Sequence, residues 1–180
     1  SMHLMHIIND ILDFSKLAYG KMKINNECFP MSEMIEELES AIQNIIVSKH
    51  QKCRFIITPN TPKIIISDKR KIIQIIINLV SNASKFSGIN TDIIIEINNK
   101  DSTLYFNVID EGIGISQADQ YKLFNSFIQI KKSSNGNGLG LAISKKIAEL
   151  LGGCLIVESK LNKGSKFSFN IKHIPYSKYE

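Results

Sequence analysis

The sequence has few cysteines and no long hydrophobic run, and both shortages exclude classes of protein. Its three cysteines, Cys28, Cys53 and Cys154, are an odd number, lie far apart and form no Cys-x-x-Cys motif. This spacing is typical of reduced thiols in a cytoplasmic protein and argues against a disulfide framework or a zinc site. No apolar run approaches the roughly 18 residues that a membrane-spanning helix needs, and the chain shows no secretory signal. We therefore expect a soluble, cytoplasmic chain without membrane contact, although its parent protein can be membrane-anchored.

The sequence also lacks a concentrated patch of charge. Lysine and arginine together number 22 against 17 acidic residues, which gives a net charge of +5. The lysines are scattered, and aromatic residues do not alternate with them as a nucleic-acid-binding groove requires. The surplus of positive charge therefore indicates a solvated surface that attracts anionic ligands, without a nucleic-acid partner. The length of 180 residues, with 43% hydrophobic and 22% charged residues, fits a globular domain.

Hydrophobic periodicity predicts helices and strands that interleave along the chain. Ser32, Asp68 and Ser116 stand where N-caps are expected, and Asp119 completes a capping box with Ser116. At least two hairpins favour an α+β fold, a two-layer α/β sandwich in which helices cover one face of a mixed sheet. The predicted helices are 5–21, 32–48, 69–86, 116–124 and 139–151, and the predicted strands are 23–29, 53–58, 64–66, 92–98, 103–109, 154–159 and 164–172.

Three polar or glycine-rich features could carry chemistry. On the helix 69–86, Asn78, Asn82 and Lys85 share one face, whereas Ile72, Ile76, Leu79 and Ala83 form the apolar stripe. Two carboxamides and an ammonium group on one face suit a hard cation and an anion, although a polar stripe facing solvent has the same spacing.

The other two features are glycine motifs that follow a strand or open a helix. The sequence DEGIGI at 110–115 places a carboxylate acceptor at a strand end, before glycines that let the backbone approach a ligand closely. The sequence GNGLGLA at 136–142 opens a helix whose free N–H groups form an anion site. Taken alone, the first is also common in tight turns and the second in helix packing. Neither is a P-loop.

Together and in this order, these features resemble the ATP-binding catalytic domain of sensor histidine kinases. That domain belongs to the GHKL superfamily with DNA gyrase, the Hsp90 chaperones and the MutL repair proteins. The resemblance covers almost the whole chain and rests on the N-box at 78–86, the G1 box at 110–115, the F-box at 123–127 and the G2 box at 136–141. The sequence INDILDFSK at 8–16 looks like the end of the second dimerisation helix, and GSKF at 164–167 looks like the closing strand.

The resemblance implies a Bergerat-type ATP-binding fold and a role for each matching residue. Asp110 accepts the adenine amino group with support from Ser165, Asn82 ligates the Mg²⁺ that bridges the phosphates, and Lys85 binds phosphate oxygens. The segment 131–137 is the ATP lid. The ATP-binding residues it implies are Asn78, Asn82, Lys85, Phe86, Asp110, Gly112, Ile113, Gly114, Ile115, Phe127, Lys131, Lys132, Gly136, Asn137, Gly138, Leu139, Gly140, Leu141 and Ser165, with Asn82 as the metal ligand.

Asn78 bears on the choice between kinase and ATPase. The gyrase and Hsp90 branches carry a glutamate at the matching position, which activates water, whereas a carboxamide cannot accept a proton near neutral pH. A phosphoryl acceptor presented from outside needs mainly alignment and charge stabilisation. The sequence therefore favours a protein histidine kinase over a hydrolase. A nucleotide-binding signalling module with degenerate kinase activity is the other alternative, because the lid is short and contains no arginine.

The phosphoacceptor histidine is expected outside this chain. The family's acceptor histidine is followed by an acidic residue, and none of His3, His6, His50 and His173 has one. We expect 1–22 to be the end of the dimerisation helix, with a cloning remnant at 1–2, 23–174 the catalytic domain and 175–180 a tail. The implied partners are the helical domain with the acceptor histidine, from its own or a paired subunit, and a response regulator receiver domain.

Overall fold

The computed structural model describes residues 2–126, 138–174 and 176, and it shows an α+β fold of two layers. A 3-10 turn, Val47–Lys49, follows the second helix. The helices and strands are α1 Met2–Ala18, β1 Glu27–Pro30, α2 Met31–Ile46, β2 Lys52–Ile57, β3 Ile64–Ser67, α3 Lys69–Phe86, β4 Asp92–Lys100, β5 Thr103–Asp110, α4 Gln117–Gln120, α5 Gly140–Leu150, β6 Leu155–Lys160 and β7 Gly164–Lys172.

A mixed sheet of five strands forms one layer. Its order is β2-β4-β5-β7-β6. Strands β2 and β4 run parallel, because β3 and α3 lie between them in the chain and return it in the same direction. The remaining neighbours are antiparallel. A separate antiparallel pair joins β1 to β3. The predicted mixed sheet is confirmed.

The core lies between one face of this sheet and the helices α2, α3 and α5. Alternate residues of β4, namely Ile93, Ile95 and Ile97, are fully buried on that face. Phe106 of β5 stands opposite Phe169 of β7, and their rings stack with centroids 4.7 Å apart. The helices therefore cover one face of the sheet, as the interleaved helices and hairpins predict.

Helix α3 has the bounds that its sequence predicts. The carboxylate of Asp68 caps it by accepting a hydrogen bond from the N–H of Lys71 at 3.1 Å. Ile72, Ile76 and Leu79 of the predicted stripe are completely buried. The polar face of this helix is consequently turned away from the sheet, towards the site described below.

Two predictions about helix ends were wrong. Ser32 does not cap α2, because that helix already begins at Met31, and its preceding residue Pro30 makes no side-chain cap. The N–H of Met31 donates instead to the carbonyl of Lys63 at 2.8 Å, so the chain turns directly from β1 into the helix. The hydroxyl of Ser116 caps α4 as predicted, by accepting from the N–H of Asp119 at 3.2 Å, but α4 ends at Gln120 rather than near 124.

Candidate functional site

Helix α3 presents a polar face built from Asn78, Asn82 and Lys85. All three side chains are partly exposed, whereas their neighbours Leu79 and Ala83 are buried. The ammonium group of Lys85 lies 5.5 Å from the centre of the Phe86 ring. Burial lowers the pKa of Lys85. The predicted grouping of these residues on one face is thus what the helix shows.

Asp110 ends β5 with a carboxylate that is almost out of contact with water. It is 6% exposed, and its Oδ1 accepts a hydrogen bond from the N–H of Gly112 at 2.8 Å. Burial raises the pKa of Asp110, while the N–H groups of Gly112 and Ser165 act in the opposite direction by stabilising the carboxylate. Ser165 stands directly opposite Asp110 in the β5–β7 ladder. The residue is therefore a buried acceptor held by backbone donors.

The glycines after Asp110 are required by close backbone contacts. A Cβ at Gly112 would come within 2.6 Å of the Phe86 carbonyl oxygen. Gly114 has a positive φ of 67°, and a Cβ there would collide with the backbone at Lys160. Larger residues cannot occupy these positions without displacing backbone. The loop 111–115 is thereby fitted between the end of α3 and the β6–β7 turn.

Helix α3 connects this loop to the start of α5. At one end the N–H of Ile113 donates to the carbonyl of Phe86 at 3.2 Å. Two turns earlier, the Nδ2 of Asn78 donates to the hydroxyl of Ser144 at 2.9 Å. The rise of an α-helix separates Asn78 from Phe86 by roughly 12 Å, with Asn82 halfway between them. The N-box lies on α3, and α3 contacts both the G1 box after Asp110 and the G2 box at the start of α5.

The start of α5 packs directly on Asn78. A Cβ at Gly140 would collide with the Oδ1 of Asn78. Gly138 has a positive φ of 69°, and Leu139 is completely buried beneath it. The side chain of Leu139 consequently belongs to the core, and any contribution to an anion site comes from backbone at this position. Leu141 is partly buried.

Ser159 and Gln120 also hold the glycine loop, and sequence reasoning missed both. The hydroxyl of Ser159 accepts a hydrogen bond from the N–H of Ile115 at 2.8 Å and lies 2.8 Å from the hydroxyl of Ser165. The Nε2 of Gln120 donates to the carbonyls of Ile115 and Ser159, both at 2.9 Å. The contacts of Ser159 with Ile115 and with Gln120 join residues 44 and 39 positions apart in the chain, so no local pattern signals them.

Part of the predicted site lies outside the described residues. In the described part of the chain, no three His, Cys, Asp or Glu side chains form a cluster that could hold a metal ion. Nor is any helix in the described ranges both long enough and apolar enough to span a membrane. The predicted residues beyond the described ranges are Phe127, Lys131, Lys132, Gly136 and Asn137.

Residues 67–175 match the family described as histidine kinase-, DNA gyrase B-, and HSP90-like ATPase. Because this match covers more than half of the chain, the chain belongs to that family.

Curated relatives point to the histidine kinase branch of the family. The chain is 38% identical over 177 residues to hybrid signal transduction histidine kinase B of Dictyostelium discoideum, covering 94% of this chain and 9% of that protein. It is 36% identical over 177 residues to the signal transduction histidine-protein kinase BarA of Escherichia coli K12, covering 94% and 19%. The chain thus spans less than a fifth of either relative. Within its family, it is an ATP-binding catalytic domain of the sensor histidine kinase type.

Solved structures have the same fold. The catalytic domain of histidine kinase ThkA, in a nucleotide-free form, is 29% identical, with a TM-score of 0.72 over 86% of this chain and 100% of that chain. Full-length ShkA in complex with AMPPNP is 24% identical, with a TM-score of 0.84 over 95% of this chain and 36% of that chain. The predicted fold class is confirmed.

Proposed function

We propose that this chain binds ATP with Mg²⁺ and, within a larger protein, directs the γ-phosphoryl group to a histidine on a helical dimerisation domain. The observation that carries the proposal is the connection made by α3. Its contacts at Asn78 and Phe86 join the start of α5 and the loop after Asp110 to one rigid helix. A single nucleotide can therefore extend along the polar face between them.

The adenine end of the proposed site is Asp110. An ionised carboxylate only accepts hydrogen bonds, so it suits the exocyclic amino group of adenine. The backbone donors at Gly112 and Ser165 keep the carboxylate in place and lower the cost of its burial. The loop residues Ile113 and Ile115 and the ring of Phe86 are assigned to the walls of this pocket.

The phosphate end of the proposed site is Lys85 and the start of α5. The first N–H groups of a helix have no intrahelical acceptor, and the helix dipole adds positive potential there. Helix α5 begins at Gly140 and has 11 residues. We assign the amides of Gly138, Leu139 and Gly140 and the ammonium group of Lys85 to phosphate oxygens.

Asn82 is the proposed protein ligand of Mg²⁺. Magnesium prefers oxygen ligands and is commonly held by one or two protein groups together with substrate phosphates and water. The partly exposed carboxamide of Asn82, halfway between the two ends of the site, supplies one such oxygen. The residues present therefore fit the ion. When bound, Mg²⁺ would neutralise charge on the phosphates.

Asn78 supports phosphoryl transfer rather than hydrolysis. Its carboxamide has no useful basicity, and its Nδ2 is already engaged with the hydroxyl of Ser144. The side chain can align groups around the start of α5 but cannot remove a proton from water. A hydrolase of the gyrase or Hsp90 kind remains the second candidate, and steady phosphate release at ordinary enzyme rates would favour it.

Helix α1 supports the proposal that residues 1–22 end a dimerisation helix. Leu4, Ile8 and Ile11 recur at helical spacing on α1, and each is more than 40% exposed. On its other side α1 contacts the catalytic domain, since Asp13 accepts a hydrogen bond from Gln74 at 2.8 Å. An apolar helical face of this kind suits packing against another helix. We assign 23–174 to the catalytic domain and 175–180 to a tail.

The acceptor helical domain and a response regulator receiver domain are the proposed partners. The test is transfer of labelled γ-phosphate in a longer protein that contains this chain and an acceptor histidine. We expect acid-labile labelling of that histidine and its loss in an Asp110→Asn version. Tight ATP binding without any labelling would instead support the degenerate signalling module.

A further inference from the structure

The carbonyl groups at the end of α3 are all occupied, and two side chains outside the helix supply most of the donors. A helix normally leaves its last carbonyls without intrahelical partners. Here the ammonium group of Lys49 donates to the carbonyls of Ser84 at 2.7 Å, Lys85 at 3.1 Å and Ser87 at 3.0 Å. Lys49 therefore binds three carbonyls within the last turn of α3 and its C-terminal cap, at the helix end nearest to the proposed adenine site.

Gln51 completes this arrangement. It is 6% exposed, and its Nε2 donates to the carbonyls of Ser84 at 3.3 Å and Gly88 at 2.9 Å. The hydroxyl of Ser84 donates back to its Oε1 at 2.6 Å. Lys49 and Gln51 thus hold the chain from 84 to 88 against the segment that follows α2.

The carbonyl of Phe86 is the exception, and its partner lies in the proposed site. It accepts from the N–H of Ile113 rather than from Lys49 or Gln51. The carbonyls on either side, at Lys85 and Ser87, both bind Lys49. Lys49 thus binds the carbonyls on both sides of the Phe86 carbonyl, and the Phe86 carbonyl in turn binds the loop that follows Asp110.

We propose that Lys49 is a positioning residue for the nucleotide site, acting through the end of α3 on the loop 111–115. The inference rests on the proposed function. A positive charge at a helix C-terminus is itself stabilising, so Lys49 also contributes to the free energy of unfolding. Its effect on the site is separate, because it fixes the contact between Phe86 and Ile113.

The test compares Lys49→Met, Lys49→Arg and the control Lys52→Met. Methionine keeps the length of the side chain but removes the donors, whereas arginine retains a cationic donor group. Lys52 is exposed at the start of β2, and its substitution removes the same charge close by. Calorimetry with ATP and Mg²⁺, well below the unfolding temperature, gives the affinity. Amide hydrogen exchange at Ile113 gives the state of the contact.

We expect Lys49→Met to weaken ATP binding roughly tenfold, since hydrogen bonds to a charged group are lost. Exchange at Ile113 should accelerate while amides within β4 and β5 stay protected. Lys49→Arg should restore both quantities substantially, and Lys52→Met should leave them unchanged. If Lys49→Met does not fold, Lys49→Gln, which keeps a shorter neutral donor, should give an intermediate loss.

Two results separate the possible failures. Unchanged ATP affinity and unchanged Ile113 exchange in the substituted proteins, with wild-type binding intact, would overturn the positioning role of Lys49 alone. A lowered unfolding temperature with unchanged affinity would overturn it as well, since that is the effect of a purely structural cap. Absence of ATP binding by the wild-type chain would overturn the proposed function and, with it, this inference.

Discussion

Asp110 shows how the backbone can hold a buried carboxylate. A carboxylate loses hydration energy when it is taken out of water, and this raises its pKa. Two backbone N–H groups, from Gly112 and Ser165, offset part of that loss without using a positive side chain. Within the described residues no cation pairs with Asp110, so its carboxylate remains available for a neutral donor such as an amino group.

Asp110→Asn should weaken ATP binding by roughly tenfold or more, because a carboxamide presents a donor where an acceptor is needed. Calorimetry with ATP and Mg²⁺ measures the change. Gly88→Ala is a suitable control, since a Cβ at Gly88 meets nothing closer than 3.7 Å. Equal affinity in the wild type and Asp110→Asn would remove Asp110 from the adenine site.

Ionisation of Asp110 should have opposite effects on the free energy of unfolding and on ATP affinity. Because its folded pKa lies above its unfolded pKa, its contribution to the free energy of unfolding is present below the unfolded value and lost as pH rises through the folded value. Binding needs the carboxylate, so ATP affinity should fall as pH is lowered from about 7 towards the ordinary Asp value of about 4. Asp110→Asn should show a flatter pH profile. Equal profiles for the two proteins would contradict this.

Lys85→Met should weaken binding of ATP more than binding of adenosine. The ammonium group of Lys85 is assigned to the phosphates, and charge-assisted hydrogen bonds to phosphate are stronger than neutral ones. We expect a loss of roughly tenfold for ATP and little change for adenosine. Equal losses for both ligands would assign Lys85 to the fold or to the base instead.

At the scale of the elements, α3 and its neighbours decide the geometry of the site. The bounds of α3, its cap at Asp68 and its buried stripe could all be predicted, since they follow from local periodicity and local hydrogen bonding. The cap at Ser32 was predicted wrongly because the start of α2 depends on a non-local bond between Met31 and Lys63. Local patterns thus predicted the bounds of α3, but they did not predict the non-local bond that sets the start of α2.

Gly140→Ala should lower ATP affinity by disturbing the contact of α5 with Asn78, without unfolding the chain. Alanine is favourable in a helix, but its Cβ would displace the carboxamide of Asn78. We expect a chain that stays folded, with ATP affinity lowered several-fold because Asn78 and the start of α5 move apart. Thermal unfolding checks that the chain stays folded, and calorimetry measures the ATP affinity. Unchanged affinity would show that this contact does not shape the site.

At the scale of the whole molecule, the fold class was predictable and the strand order was not. Interleaved helices and hairpins indicated a mixed sheet covered on one face, and the sheet has that form. The parallel pairing of β2 with β4 and the contacts of Ser159 with the glycine loop join distant segments. Such contacts depend on the assembled core. The candidate site was predictable only where its residues lie in ordered boxes; the donors that hold those boxes together were not.

The chain by itself should not acquire phosphate on its own histidines. His50 is exposed at the end of a 3-10 turn, and the Nε2 of His173 lies 3.1 Å from Asn99. Burial lowers the pKa of His173. Neither is followed by the acidic residue that would assist transfer. Incubation with γ-labelled ATP should leave the chain unlabelled at acid-labile positions; label on any of its histidines would refute this expectation.

The most direct test of the whole account is calorimetric titration of this chain with ATP in the presence and absence of Mg²⁺. We predict one site per chain, with binding that weakens when Mg²⁺ is chelated and when Asn82 is replaced by alanine. Absence of any heat of binding would contradict the claim that one nucleotide lies along α3. So would an affinity that changes neither when Mg²⁺ is chelated nor when Asn82 is replaced by alanine.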